Sequence, residues 1–366
     1  MKKIGILTFQ RTTNYGAQYQ NYALQEYLKK YKDLDVSVID YDNNTVNGIE
    51  RKLKLNDQRN IKDIVKYLKN GRKKIEKWNR FESFRKEHIN MSDFFDKSNI
   101  NLSRDKYDYY LVGSDQVWNP YITGNDFNYF LSFENNKDKK YSYAASFGNY
   151  DYSIEIKESM KKYLSDFKRI AVREESAVDF LKSINVNEST AVIDPTFLLT
   201  QNEWNNSLKL CDSDNKYILV YMIDDSSKNI KKIKELAKNE KLKIIYINND
   251  FFNVVGVKNI RDCSPIQFLN YLKMSKYVIT GSFHAICMSL IMQKDFYYIL
   301  NKKLKRNSRI IDLMNDLNIS GHDITDTLIN TNKKLNYDKI NDLLNKKISY
   351  SKNILNEYYR EWINNE

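Results

Sequence analysis

Three cysteines, three prolines and three histidines are all that this chain of 366 residues holds of those types. Cys211, Cys263 and Cys287 stand apart with no CxxC spacing. Neither a disulfide framework nor a structural zinc is therefore expected, and a reduced, cytoplasmic setting is the simplest account. No stretch approaches the roughly 18 apolar residues that cross a bilayer. The N-terminus, Met1-Lys-Lys-Ile-Gly-Ile-Leu-Thr-Phe9, puts charge before a short apolar run and reads as a first strand, not a signal peptide. Helix-turn-helix, zinc-finger and RNA-binding signatures are also missing, which matters because the formal net charge is +12. The basic residues are interleaved with Glu and Asp along helical stretches, the pattern of a solvated face, so nucleic acid is not an expected partner. An anionic substrate or the negative cytoplasmic leaflet of a membrane fits the charge equally well.

Apolar residues make up 42% of the chain and aromatics 13%, enough for real cores. The length calls for two domains of about 180 residues. Lys3 to Phe9 is a strand pattern. Asn14-Tyr-Gly-Ala-Gln18 then opens a helix with apolar positions at Ala17, Ala23, Leu24, Tyr27, Leu28 and Tyr31, and Val36 to Tyr41 is the next strand. Strand, helix, strand in that order is a βαβ unit, which requires a parallel sheet and a right-handed crossover. The turn from Gln10 to Gly16 then lies on the carboxyl edge of the sheet, where ligands bind, so Asn14 and Gly16 are candidate binding residues. One glycine near a helix start is not the GxGxxG fingerprint of a dinucleotide site.

From about residue 56 to 90 the chain is basic, with Ile61, Ile64, Val65, Leu68, Ile75, Trp78, Phe81 and Phe84 at helical spacing. Two amphipathic helices broken near Asn70-Gly71 are expected. Such helices either lie on a membrane surface or pack their aromatic stripe on the protein's own core. Asp108 to Val112 is a strand running into Gly113-Ser-Asp-Gln-Val-Trp-Asn-Pro120. There Ser114 is placed to bond a phosphate, and Asp115 to act as a base or bind sugar hydroxyls; either also suits a helix N-cap. Further strands are expected at Tyr141 to Ser146 and Arg169 to Val172. Arg173, at a strand end, can grip a carboxylate or phosphate bidentately, or form a surface ion pair. Ala191 to Ile193 is a strand closed by Asp194-Pro195, a turn that reads as a structural stop.

The second half repeats the pattern: Tyr217 to Met222 and Lys243 to Ile247 as strands, Ser264-Pro265 opening a helix, and Tyr337 to Trp362 as one or two terminal helices. At Tyr277-Val-Ile-Thr-Gly-Ser-Phe-His284 a buried strand stops at Thr280-Gly281, and the helix that follows starts beside Ser282 and His284. A histidine there caps the helix or meets an anion at its positive end. The predicted architecture is two Rossmann-like domains, 1–200 and 201–366, facing each other across a cleft, with the basic helices an insertion in the first. No motif specifies an oligomeric state.

Six stretches in order resemble the polysaccharide pyruvyl transferase family: Asn14-Tyr-Gly-Ala, Gly113-Ser-Asp-Gln-Val-Trp-Asn, Ser142-Tyr-Ala-Ala-Ser-Phe-Gly148, Val172-Arg-Glu, Asp194-Pro-Thr and Ser282-Phe-His-Ala. The resemblance runs from residue 1 to about 320 and implies a GT-B-like fold. It also implies transfer of the pyruvate skeleton of phosphoenolpyruvate onto a sugar of a bacterial surface polysaccharide or its lipid-linked precursor, giving a cyclic ketal and phosphate. The family's Ser-Phe-His-Gly is Ser-Phe-His-Ala here, and the acid often found before that serine is Gly281, so a carboxylate is lost there.

That chemistry needs fixed cations and helix N-termini for two anionic groups, and a general acid to protonate the methylene carbon. His284 is the expected acid. Arg173 is implied to bind the carboxylate or phosphate, with Ser282, Arg306 and Arg309 adding contacts, and Asp115 is the candidate for orienting the acceptor hydroxyl. The scheme calls for no metal and no cofactor beyond the donor substrate. A GT-B glycosyltransferase using a nucleotide sugar is the alternative enzyme, since fold does not fix chemistry. A glycan- or membrane-binding protein that has kept the fold without catalysis is the alternative of another class.

Overall fold

Parallel strands joined through helices dominate the chain, as its β-branched and aromatic runs predict. The structure is a computed structural model describing residues 1–48, 71–148, 150–212, 217–221, 227–248, 253–301 and 307–364. Among these residues are two all-parallel sheets. The first holds β1 (Lys2–Leu7), β2 (Leu34–Asp42), β3 (Met91–Asp96), β4 (Tyr109–Val112), β5 (Lys140–Ala145), β6 (Arg169–Val172) and β7 (Ser189–Ala191), in the order β3-β2-β1-β4-β5-β6-β7. The second holds β8 (Tyr217–Tyr221), β9 (Lys243–Ile247), β10 (Lys258–Ile260), β11 (Tyr277–Thr280) and β12 (Asp295–Tyr298), in the order β10-β9-β8-β11-β12. Central strands such as β4, β5, β8 and β11 are buried along their whole length, because a parallel sheet covered on both faces has no solvent side.

The strand order reverses between β1 and β4 in the first sheet and between β8 and β11 in the second. At such a switch point the crossovers leave in opposite directions and open a crevice at the carboxyl ends of the strands. Thr8 and Gly113 to Asp115 follow the first pair, and Gly281 to His284 follow β11 of the second.

The chain divides into two units, Met1–Arg51 with Arg85–Leu199 and Leu344–Glu366, and Lys52–Phe84 with Thr200–Leu343. A boundary at residue 200 would put 344–366 with the second half. The single helix Tyr337–Asn364 instead ends in the first unit, where Trp362 stacks on Tyr109 at 5.8 Å and Glu361 pairs with Arg169 at 2.5 Å. Of the two expected basic helices, Arg72–His88 is present, and the stretch before residue 71 lies outside the described residues. Phe81 and Phe84 are buried in the protein, and Lys73 and Arg80 face Asp262 at 3.8 and 3.6 Å. Among the described residues no helix is long and apolar enough to cross a membrane.

Candidate active site

At the end of β1 the Thr8 hydroxyl donates to the Ser114 carbonyl at 2.7 Å, and Gln20 Nε2 donates to that hydroxyl at 3.1 Å. Gly113 permits the approach: a Cβ there would stand 3.1 Å from Thr8 Cβ. Asn14 is the N-cap of helix Tyr15–Leu28, its side chain accepting from the Gly16 amide at 2.9 Å, while Gly16 itself is buried. Gln18 Nε2 donates to the carbonyls of Gln10 and Thr12, each at 3.0 Å, and so pins the loop before the helix.

Ser114 and Asp115 cap no helix; the next one, Pro120–Thr123, is capped by Asn119. Asp115 has φ 80° and its Oδ1 accepts from the Gln116 amide at 2.8 Å. Its carbonyl takes the Ser146 amide at 3.0 Å, and it bridges to Ala145 across the sheet edge. The neighbouring strand is irregular too: β5 slips register between Ser142 and Ala145, with Ala144 at φ 59°. Left-handed non-glycine residues cost about 1–3 kcal/mol and persist where the surroundings over-determine them, commonly at functional sites. Here two, Asp115 and Ala144, lie at adjoining strand ends.

Arg173, one residue past β6, is buried. Its Nη1 lies 3.2 Å from Asp194 Oδ2 and its Nε 3.5 Å from Glu174 Oε2, and Nη1 also donates to Ser114 Oγ at 3.2 Å. Burial pulls its pKa down, but the carboxylates of Glu174, Asp194 and Asp115 outweigh this and hold it above the usual arginine value. Each carboxylate is anchored in turn. Asp194 accepts from the Thr196 amide at 3.0 Å and the Thr196 hydroxyl at 2.8 Å. Glu174 accepts from Ser146 Oγ at 2.6 Å and Tyr150 OH at 3.2 Å, although it occupies an N-cap position whose own side chain makes no cap bond. The cation expected to grip a substrate anion is thus already shared between two buried carboxylates of its own chain.

In the second unit Ser282 is the N-cap of helix Phe283–Ile291, accepting from the Ala285 amide at 3.5 Å, and its own amide donates to Thr280 Oγ1 at 3.0 Å. His284 is 7% exposed in the first turn of that helix, with its ring 5.3 Å from Phe283. The Arg309 guanidinium lies 5.5 Å over the other partner of this contact, the Phe283 ring. Asn307 holds the start of the following helix by receiving the Asn301 amide at 3.1 Å and donating to the Asn301 carbonyl at 2.9 Å. Arg306 lies outside the described residues. His322, the other deeply buried histidine, has Nδ1 2.8 Å from the Phe296 carbonyl and stacks on Tyr297, so its setting is that of a core residue.

The expected site residues therefore gather into two groups, each at a switch point. Asn14, Gly16, Ser114, Asp115 and Arg173 belong to the first unit, and Ser282, His284 and Arg309 to the second. Sequence reasoning missed Asp194, Glu174, Ser146 and Tyr150 as members of the first group. The available signal was three charged residues in the short motifs Val172-Arg-Glu, directly after the apolar end of β6, and Asp194-Pro-Thr, directly after the buried Val192-Ile193 pair. Among the described residues no three His, Cys, Asp or Glu side chains are grouped to hold a metal.

The sequence model of polysaccharide pyruvyl transferases matches residues 14–303. No curated protein matches the chain. Among solved structures, UDP-GlcNAc 2-epimerase from Neisseria meningitidis, bound to UDP-GlcNAc, is similar with a TM-score of 0.48 at 13% identity, covering 100% of this chain and 95% of that one. UDP-GlcNAc 2-epimerase from Methanocaldococcus jannaschii gives 0.46 at 12% identity over 94% and 91% of the two chains. The ADP-heptose lipopolysaccharide heptosyltransferase II of E. coli gives 0.38 at 9% identity over 96% and 100%.

Proposed function

The chain belongs to the polysaccharide pyruvyl transferase family, and from that premise we propose that it moves the pyruvyl group of phosphoenolpyruvate onto a sugar of a bacterial surface polysaccharide or its lipid-linked precursor. The observation that carries this reading is His284, buried in the first turn of a helix at the switch point of the second sheet. A proton donor there stands beside amides and a positive helix end that suit an anionic substrate. Ser282 and Arg309 contribute to the same donor side.

In this scheme His284 gives its proton to the methylene carbon, which becomes the methyl group, and C2 becomes electrophilic. An acceptor hydroxyl adds to C2 and passes its proton to Asp115. The C2–O bond to phosphate breaks, phosphate leaves with its electron pair, and a neighbouring hydroxyl closes the ketal. The second proton leaves on phosphate.

Two carboxylates facing one guanidinium make the cluster around Arg173 net negative. That suits hydroxyl groups better than a substrate carrying a phosphate and a carboxylate. We therefore read Arg173 as a positioning residue that fixes Ser114, Glu174 and Asp194, with Asp115 as the group that meets the acceptor. The reading places the protein in the cytoplasm, a setting that suits three cysteines of which none is in a disulfide.

The test is incubation with phosphoenolpyruvate and a panel of lipid-linked oligosaccharides, following phosphate release and the mass of the product. Release of phosphate with a gain of one pyruvate ketal is expected. Tight binding of a nucleotide sugar with none of phosphoenolpyruvate would replace this reading with a glycosyltransferase.

A further inference from the structure

The loops that build the first edge also carry an aromatic ring out to solvent. Tyr121 is 63% exposed, yet it is held on several sides. Its ring stacks on that of Tyr152, with centroids 5.6 Å apart and planes at 30°, and its hydroxyl donates to the Asp151 carbonyl at 3.3 Å. Its amide donates to Asn119 Oδ1 at 3.1 Å, and Gly124, at φ 68°, closes the short helix behind it. Tyr152 is itself buried, with its hydroxyl on the Phe147 carbonyl at 2.9 Å and its ring against Phe180. The exposed ring is therefore rigid rather than a side chain free to turn.

Its supports lead back to the candidate acceptor base. Asn119, which receives the Tyr121 amide, donates to Gln116 Oε1 at 3.0 Å, and Gln116 follows Asp115 directly. Tyr152 hangs on the loop that begins at Ser146, whose amide bonds the Asp115 carbonyl. One scaffold thus sets both Asp115 and the tyrosine pair on the carboxyl side of the first sheet.

We propose that Tyr121 is the stacking platform for a pyranose ring of the acceptor, seated beside the hydroxyl that Asp115 meets. A pyranose presents one face of C–H groups, which packs on the electron-rich face of an aromatic ring, while its rim of hydroxyls needs polar partners. The surroundings fit that mixture. Asp151 takes the tyrosine hydroxyl on its carbonyl, and Asn119 and Asn125 flank the short helix that carries the ring. The proposal rests on the pyruvyl transferase reading for the identity of the sugar as acceptor, though not for the binding itself.

Saturation-transfer NMR on the full chain, with methyl β-galactopyranoside, methyl β-glucopyranoside and methyl α-mannopyranoside as probes, tests the platform without phosphoenolpyruvate. Wild type and Tyr121→Phe are expected to pass saturation to the ring C–H protons of at least one probe. Tyr121→Ala, folded by circular dichroism, should bind that probe roughly tenfold or more weakly, in the range of a lost stacking face. In turnover the same variant should raise the acceptor KM by a similar factor and leave the KM for phosphoenolpyruvate unchanged. Saturation of no probe, or saturation equal in Tyr121→Ala, overturns the platform whatever the enzyme does. Saturation lost in Tyr121→Ala, with no turnover of phosphoenolpyruvate, upholds the platform and removes the pyruvyl transferase reading instead.

Discussion

Arg173 Nη1 and Asp194 Oδ2 meet at 3.2 Å, with 2% and 0% of the two side chains reached by solvent. A buried pair of this kind contributes little compared with an apolar one, but removing one partner strands the other charge at a cost of about 3–5 kcal/mol. Arg173→Ala and Asp194→Ala are each expected to lose stability in that range in urea unfolding. The double variant should lose less than the two together, because each single variant already breaks the Arg173–Asp194 contact, although Glu174 stays buried without its cation in both proteins that lack Arg173. An Arg173→Ala protein with an unchanged urea midpoint and a raised KM for phosphoenolpyruvate would return the arginine to the role of an anion clamp.

His284→Ala should lower turnover by about 10²-fold or more, the range for a lost general acid, with the acceptor KM little changed. Phosphate release from phosphoenolpyruvate in the presence of acceptor gives the number. If the histidine only starts the helix, the thermal midpoint will fall and turnover of the remaining folded protein will stay near wild type.

His284 was legible because a short apolar run, a Thr-Gly break and a helix pattern fix both its element and its edge of the sheet; β11 spans the residues so predicted. β6 and β9 were equally plain, being apolar runs bounded by charge. The edge strands β3 and β10 were not, since one carries exposed Asp93 and Phe94 and the other is three residues long. Neither offers the unbroken apolar run of a doubly covered strand. The task of Asp194 was hidden for a different reason. Its partner lies 21 residues earlier, on the neighbouring strand end, and local sequence gives a turn residue no sign of such a partner. The charge state of the first edge therefore required the pairing of β6 with β7.

Gly148 holds φ 75°, and a Cβ there would stand 2.2 Å from Gln116 Oε1, the atom that receives the Asn119 side chain. Gly148→Ala is expected to cost about 1–3 kcal/mol through backbone strain and to displace Gln116 beside Asp115. Gly256→Ala is the control, since Gly256 has φ 77° with nothing within 4 Å of the added carbon. The two variants share the strain and differ in the clash. Unfolding midpoints should fall further for Gly148→Ala, and only that variant should raise the acceptor KM. Equal midpoints would mean that Gln116 moves aside at no cost.

His322 links the stability of the second unit to pH. Burial lowers its pKa from the ordinary 6.5; the Phe296 carbonyl and Asp295 work against this, and Lys333 works with it. The folded ring therefore holds its proton less well than the ring in the unfolded chain. Where the unfolded chain binds more protons, stability rises with pH. The contribution of neutral His322 is present above about pH 6.5 and is lost as the pH falls from there through the folded pKa. His322→Gln keeps a donor for the Phe296 carbonyl and has no proton to gain. Urea midpoints of the two proteins at about pH 7.5 and about pH 5 measure the linkage, and the wild type should lose more on acidification than the glutamine variant. A wild-type drop no larger than that of His322→Gln would mean that the buried ring takes up its proton as readily as an exposed one.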